Sequence, residues 1–234
     1  MSNYTVITLN KLSKVFGGHK ALNEISLEIQ KGDIIGIIGP SGGGKSTLLR
    51  CIAGVESYSS GTIKIDPECR IGMVFQNFNL FKNMSVIDNL CYPQQKVLNR
   101  SREDSEGISI KILKKVNMLH YFNKYPDQLS DGQKQRVAIA RTLCLDLSVI
   151  LFDEPTSALG PENVLEILNV IKDVASEEIA ILIISHELRF IEAITNKMIF
   201  MSNGNMEMFC DTKSFFKDNH NERVRSFLQA CLRY

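Results

Sequence analysis

The residues with the clearest chemistry in this chain are Gly39-Pro40-Ser41-Gly42-Gly43-Gly44-Lys45-Ser46, a Gly-x4-Gly-Lys-Ser spacing. Backbone rich in glycine can wrap closely round phosphate oxygens with its N–H groups turned inward, and a lysine at this position supplies positive charge to β- and γ-phosphates. Ser46 offers a hydroxyl to Mg²⁺, and a helix starting there adds its N-terminal dipole. Glycines alone are equally compatible with a flexible turn. The flanks decide: the apolar run Ile34 to Ile38 precedes the loop, and Ser46 to Ala53 follows it with Leu48, Leu49 and Ile52 on one helical face. Strand, loop and helix in that order are the context this phosphate-binding pattern requires. The assignment of nucleotide contacts is therefore Gly39, Pro40, Ser41, Gly42, Gly43, Gly44, Lys45, Ser46 and Thr47.

A second site of chemistry is Asp153-Glu154, reached from the apolar run Val149-Ile150-Leu151-Phe152. Acids after a strand are often only a solvated strand end. In an open α/β sheet, however, ligands bind at the carboxyl ends of strands. There Asp153 is placed to hold Mg²⁺, through water, and Glu154 to orient or deprotonate an attacking water.

These residues need a scaffold, and the hydrophobic pattern supplies one. Ile34 to Ile38, Val149 to Phe152 and Ile179 to Ile184 lack period-2 alternation and read as strands buried on both faces of a parallel sheet. Pro161 to Ala175 places Val164, Ile167, Leu168, Ile171 and Val174 on one helical face. Alternating strands and helices predict an α/β fold with a mainly parallel sheet. Residues 4 to 35, including Ile25-Ser26-Leu27-Glu28-Ile29, and Gly61 to Ile65 alternate, predicting a small antiparallel N-terminal subdomain. Residues 86 to 134 read as an inserted helical subdomain within one domain spanning 1–234. Val224, Phe227, Leu228 and Cys231 mark an amphipathic C-terminal helix that packs on the core.

Composition excludes several classes. The 234 residues are 44% hydrophobic and 23% charged, which suits one globular domain. The net charge of +1 gives no basic excess for nucleic acid. None of the six cysteines forms a CxxC pair, so neither a zinc site nor a disulfide framework is indicated, and a reducing compartment is expected. The N-terminus lacks a signal-peptide pattern, and no apolar run approaches the ~20 residues of a membrane helix. A soluble, cytoplasmic protein is expected, held at a membrane only through a partner.

With these motifs in place, the chain resembles the ATP-binding-cassette family, the nucleotide-binding subunits of membrane transporters. Leu129-Ser130-Asp131-Gly132-Gln133 is similar to the family signature, just upstream of the acidic strand. Gln76, in Met73-Val74-Phe75-Gln76, matches the Q-loop; His186 matches the switch histidine; Phe16 matches the aromatic that stacks on adenine. Read alone, Ser130 is a helix N-cap, Gln76 a polar loop residue and Phe16 a core aromatic. The resemblance implies more. Two ATP molecules would be sandwiched in a head-to-tail homodimer, with Ser130, Gly132 and Gln133 of one subunit facing the γ-phosphate held by the other. Glu154, His186 and Gln76 would be catalytic, and Ser46, Gln76 and Asp153 would hold Mg²⁺.

Two positions depart from the family pattern. Asp131 replaces the first signature glycine, and Gly160 follows Ser157-Ala158-Leu159 where the family tends to have Asp. Both fall on the expected dimer surface. A short cassette without a membrane span implies integral-membrane permease subunits on separate chains. Glu222-Arg223-Val224-Arg225-Ser226-Phe227-Leu228 is similar to the polar-amino-acid importer group, which implies a separate solute-binding protein and a place on the cytoplasmic side of the inner membrane. The alternative is an export or lipoprotein-release ATPase. A GTPase is disfavoured because Asn196-Lys197-Met198-Ile199 lacks the base-reading Asp.

Overall fold

The computed structural model describes residues 4–157, 159–175, 179–217 and 221–232. Two strands of twelve residues each, β1 (Thr5–Phe16) and β2 (His19–Gln30), pair antiparallel. The alternation in β2 does what it predicts: Ile25, Leu27 and Ile29 are buried, while Ser26 and Glu28 are exposed. β4 (Ser60–Ile65) pairs with the other side of β1, giving a three-stranded sheet in the order β2-β1-β4. It is an edge strand without a buried face, and Ile65 is 41% exposed.

The main sheet has six strands. β3 (Ile34–Ile38) lies between β7 (Ala180–Ile184) and β8 (Lys197–Ser202); β6 (Val149–Asp153) and β5 (Ile71–Val74) continue beyond β7, and β9 (Asn205–Asp211) flanks β8. All neighbours are parallel except β8 and β9. The continuous apolar runs are explained by what covers each face. Ile150, Phe152, Ile181 and Ile183 face one apolar cluster, whereas Val149, Leu151, Leu182 and Ile184 face another. Each such side chain contributes about 1.5–3 kcal/mol by leaving water.

The second cluster contains Leu48, Leu49 and Ile52 of α1 (Lys45–Ile52) together with Leu12 and Ile25 of the antiparallel sheet. The first is built by α2 (Val86–Leu98), α3 (Arg102–Lys115), α4 (Asp131–Leu143) and α5 (Pro161–Ala175), through Leu90, Leu113, Val137, Ile167 and Ile171. Thus α2 and α3 form a helical insertion between β5 and β6. Ser85 and Ser101 cap them, each accepting a hydrogen bond from the backbone N–H three residues on. Helix α2 continues through Pro93, where the residue type alone would have ended it. Short helices α6 (Leu188–Ile194) and α7 (Thr212–Lys217) follow, and α8 (Glu222–Leu232) closes the described chain. As its pattern predicts, α8 buries Val224 and Leu228, and its Phe227 ring meets Phe200 edge-on at 5.4 Å, but Cys231, the fourth residue of that pattern, is exposed.

The strand order matters for chemistry. With β6, β7 and β3 adjacent and parallel, their carboxyl ends open on one edge. The segments that leave them begin at Glu154, Ser185 and Gly39.

Candidate functional site

The phosphate loop leaves β3 at Gly39, whose φ is 140°. A Cβ at this position would lie 1.9 Å from the Met201 carbonyl oxygen of β8, so no side chain fits. Lys45 opens α1, and its Nζ donates to the carbonyl oxygens of Gly39 and Pro40 at 2.8 and 2.9 Å. The ammonium is thus held under the loop and the residue is buried. Burial pushes the Lys45 pKa below its ordinary value, and the charges of Glu154 and Asp153 pull it back upward. Next, the Ser46 hydroxyl donates to Asp153 Oδ1 at 2.7 Å, joining α1 to the end of β6. Asp153 is only 2% exposed, with Arg50 Nη2 3.4 Å from Oδ2. A hydroxyl and a buried carboxylate form a hard oxygen donor set, which fits Mg²⁺ better than a soft metal. Among the described residues, no cluster of three or more His, Cys, Asp or Glu offers a second kind of metal site. Thr47 follows, half-buried in α1.

Glu154 occupies the left-handed region, with φ 50°. That conformation costs a residue with a Cβ about 1–2 kcal/mol. It is fixed by three hydrogen bonds: Glu154 N–H donates to Ile184 O at 3.1 Å, and its carbonyl accepts from Ser157 N–H at 3.3 Å and Ser157 Oγ at 3.0 Å. The carboxylate is aimed at His186, whose Nε2 lies 3.3 Å from Glu154 Oε1. The pair borders a cavity of about 290 Å³ shared with Ser157, Ser185 and Leu159. A larger cavity, of about 870 Å³, lies away from the loop, between residues 77–83 and Pro126, Asp127 and Lys134.

The signature residues sit at the start of α4. Ser130 Oγ accepts from Gln133 N–H at 3.3 Å, and Gln133 Oε1 accepts from Ser130 N–H at 3.0 Å, a reciprocal capping box. Asp131 is turned back along the helix, where Oδ1 accepts from Lys134 Nζ at 2.8 Å. A Cβ on Gly132 would come within 2.5 Å of Asn163 Oδ1 of α5, so α4 and α5 approach closely there. Gly160 accepts a hydrogen bond from Asn163 N–H at 3.0 Å at the start of α5. Ala158, two residues before it, lies outside the described residues.

The structure gathers some of the sequence-derived residues and leaves others apart. Lys45, Ser46 and Asp153 meet, as do Glu154 and His186. Gln76 is exposed just past β5 and, among the described residues, hydrogen-bonds to neither Ser46 nor Asp153. Among the same residues, Ser130, Gly132 and Gln133 share no hydrogen bond with the phosphate loop. Phe16 ends β1 with 43% of its surface exposed, and the buried Lys14 places its Nζ 4.5 Å from the ring centroid. Sequence reasoning missed Lys14, Arg50 and Lys134. Two carried a signal: Lys14 is two residues from Phe16 on a strand, and Lys134 three from Asp131 on a helix, spacings that share a face.

Comparison with known proteins gives this geometry its context. A profile of the ABC transporter family matches residues 22–157. The glutamate/aspartate import ATP-binding protein GltL of Escherichia coli (strain K12) is 40% identical over 97% of this chain and 100% of its own length. The arginine transport ATP-binding protein ArtM of Bacillus subtilis (strain 168) is also 40% identical, over 97% of this chain and 100% of its own. The glutamine transport ATP-binding protein GlnQ of Geobacillus stearothermophilus is 37% identical, over 98% of this chain and 100% of its own. Among solved structures, the dimeric post-hydrolysis state of the ATP-binding cassette MJ0796 bound to ADP and Pi superposes with a TM-score of 0.79. It is 28% identical and covers 88% of this chain and 98% of that one.

Proposed function

This chain belongs to the ABC transporter family and is an ATPase of that kind, and from that premise we propose that it drives uptake of a polar amino acid through a homodimer closed around two ATP molecules. The observation that carries the catalytic reading is the convergence of two pairs, Ser46 with Asp153 and Glu154 with His186, at the carboxyl ends of adjacent strands. The cargo class is supported by full-length similarity to the glutamate/aspartate, arginine and glutamine proteins.

In this reading one cassette domain spans 1–234, with a helical subdomain at 86–134. Phe16 stacks on adenine, and the backbone of Gly39 to Gly44 with Ser46 and Thr47 surrounds the phosphates. Lys45 exchanges its carbonyl partners, Gly39 and Pro40, for phosphate oxygens. Ser46, Asp153 and the Gln76 side chain would hold Mg²⁺, which when bound neutralises charge on the phosphates. Glu154 accepts a proton from the attacking water, and the exposed His186 side chain turns from Glu154 toward the γ-phosphate. The second subunit presents Ser130, Gly132 and Gln133 at its α4 N-terminus, where dipole and N–H groups favour an anion.

No helix among the described residues is long and apolar enough to cross a membrane. Similarity to import ATP-binding proteins supports a place on the cytoplasmic face of the inner membrane, against separate permease subunits and served by a solute-binding protein. Nucleic acid has no part in it. The test is reconstitution of the ATPase with its copurified permease and binding protein in ATP-loaded vesicles. ATP-dependent accumulation of labelled glutamate, glutamine or arginine is expected. Outward movement of cargo, or none for any polar amino acid while ATP is hydrolysed, would overturn the cargo assignment.

The Asp131–Lys134 pair answers the first departure from the family pattern. Exposed, such a pair adds little stability. Beside an incoming γ-phosphate, however, it removes a repulsive charge. Asp131→Gly is expected to hydrolyse ATP at a rate equal to wild type or up to about threefold higher, the size of a weak charge effect. Lys134→Met should be slower, and Asp131→Gly in that background should restore the rate. Steady-state phosphate release measures all three; a large loss in Asp131→Gly alone would assign that carboxylate a positive role.

A further inference from the structure

Phe16 is a half-exposed ring with an unusual floor. Beneath it lies not an aliphatic side chain but the ammonium of Lys14, 4.5 Å from the centroid, on a residue only 7% exposed. The ammonium is held from the other side by Glu56 Oε1 at 2.6 Å and Ser57 Oγ at 3.3 Å. Both belong to the segment that follows α1, so the same contacts tie the end of β1 to the helix carrying the phosphate loop. Ser59 reinforces that tie: its Oγ accepts from Val15 N–H at 3.0 Å and its own N–H donates to Ser13 O at 2.7 Å. Lys14 also acts electrostatically on Cys51 within α1: burial pushes that thiol pKa up, and the ammonium pulls it down.

We propose that Lys14 is a positioning and specificity residue for the nucleobase: clamped by Glu56 and Ser57, its charge withdraws electron density from the inner face of the Phe16 ring and thereby strengthens stacking of adenine on the outer face. A cation over one face of an aromatic ring is attracted by the ring quadrupole. The same polarisation leaves the opposite face less electron-rich and a better partner for a purine π-system. A burial of this kind needs a reason, because a buried ammonium costs solvation unless it is paired. Glu56 and Ser57 supply the pairing; the ring supplies the function. Their anchorage also fixes the ring at a set distance from the phosphate loop, so base and phosphates are read together. This inference rests on the assignment of Phe16 to adenine.

The experiment uses ligands that leave hydrolysis and dimer closure aside. Equilibrium dissociation constants are measured by calorimetry for ADP, UDP and pyrophosphate on wild type, Lys14→Met, Lys14→Arg, Glu56→Gln, Phe16→Ala and the Lys14→Met/Phe16→Ala double variant. Lys14→Met is expected to weaken ADP by about two- to fivefold, the range of one cation–π contact. It should leave pyrophosphate unchanged and narrow the preference for ADP over UDP. Lys14→Arg should restore wild-type affinity, and Glu56→Gln should fall between. In the Phe16→Ala background, Lys14→Met should have no further effect. If Lys14→Met weakens ADP and pyrophosphate equally, the residue only supports the fold and the proposal is wrong. If Phe16→Ala weakens ADP while Lys14→Met does not, adenine stacking stands and the role of Lys14 falls. If Phe16→Ala leaves ADP unchanged, the adenine assignment itself fails, and this inference with it.

Discussion

Replacing Glu154 by Gln is expected to slow ATP hydrolysis by about 100- to 10,000-fold, the range for loss of a positioned general base, while ATP still binds. The amide is nearly isosteric with the carboxylate but cannot take a proton at neutral pH. Nucleotide contacts proposed for the phosphate loop lie on other residues, so affinity should change little. With hydrolysis blocked, the ATP-bound homodimer should persist and elute at twice the monomer mass on gel filtration in MgATP, then revert in MgADP. Wild type under the same conditions should show a smaller dimer fraction, because turnover reopens it. Undiminished hydrolysis by the variant would remove Glu154 from the mechanism.

The surroundings of Glu154 make this more than a substitution of one acid among many. Its backbone is held at φ 50° by bonds to Ile184 and Ser157. A strained residue persists where neighbouring structure over-determines it, and such sites cluster at functional positions. The turn away from β6 separates the two consecutive acids. Asp153 points inward to Ser46, whereas Glu154 points to His186 and the adjoining cavity. Glycine at 154 would relieve the strain and remove the base, so a gain in melting temperature with loss of turnover would separate the two roles.

Much of this site was legible because its key segments are local. The loop from Gly39 to Ser46 combines a fixed spacing with a strand before it and a helix after it, and all three are visible in contiguous sequence. The ends of β3 and α5 match their hydrophobic patterns residue for residue. What spacing could not supply was the meeting of Ser46 with Asp153, 107 residues later. That contact depends on β6 lying two strands from β3, with only β7 between, and strand order is a property of the sheet rather than of any segment. For the same reason, nothing local revealed that Glu56 would grip Lys14, 42 residues earlier. Helix α2 runs through Pro93, and burial of Leu90, Cys91 and Gln94 around it outweighs the lost hydrogen bond. The residue type at position 131 does not fix which way the carboxylate of Asp131 turns. One lysine a helical turn away resolves it.

Lys45→Met should lower ATP affinity by about 10- to 100-fold, the loss of a charge-assisted hydrogen bond or slightly more, without lowering the stability of the nucleotide-free protein. The second half of this expectation follows from the folded environment. The Lys45 ammonium is buried and rests on two carbonyls, those of Gly39 and Pro40. Its pKa lies below that of an exposed lysine, with burial as the leading cause. The sign of the linkage is then fixed. Where the folded pKa is the lower one, the unfolded chain binds the proton more tightly, and this group makes stability rise with pH across the interval between the two pKa values. Below that interval the charge works against folding. Methionine fills similar space without charge and should melt at the same temperature or higher at pH 7, and it should lack the lysine-dependent rise on the alkaline side. MgATP should reverse the order, because ligand at about 100 times the wild-type Kd stabilises wild type by about 2.7 kcal/mol and the variant, binding about 10- to 100-fold more weakly, by only about 0.4–1.4 kcal/mol. A crossing of the two melting curves between nucleotide-free and MgATP conditions is the expected signature of a cation kept for phosphate. A variant already destabilised without nucleotide would instead make Lys45 a structural clamp of the loop, with weakened binding as its consequence.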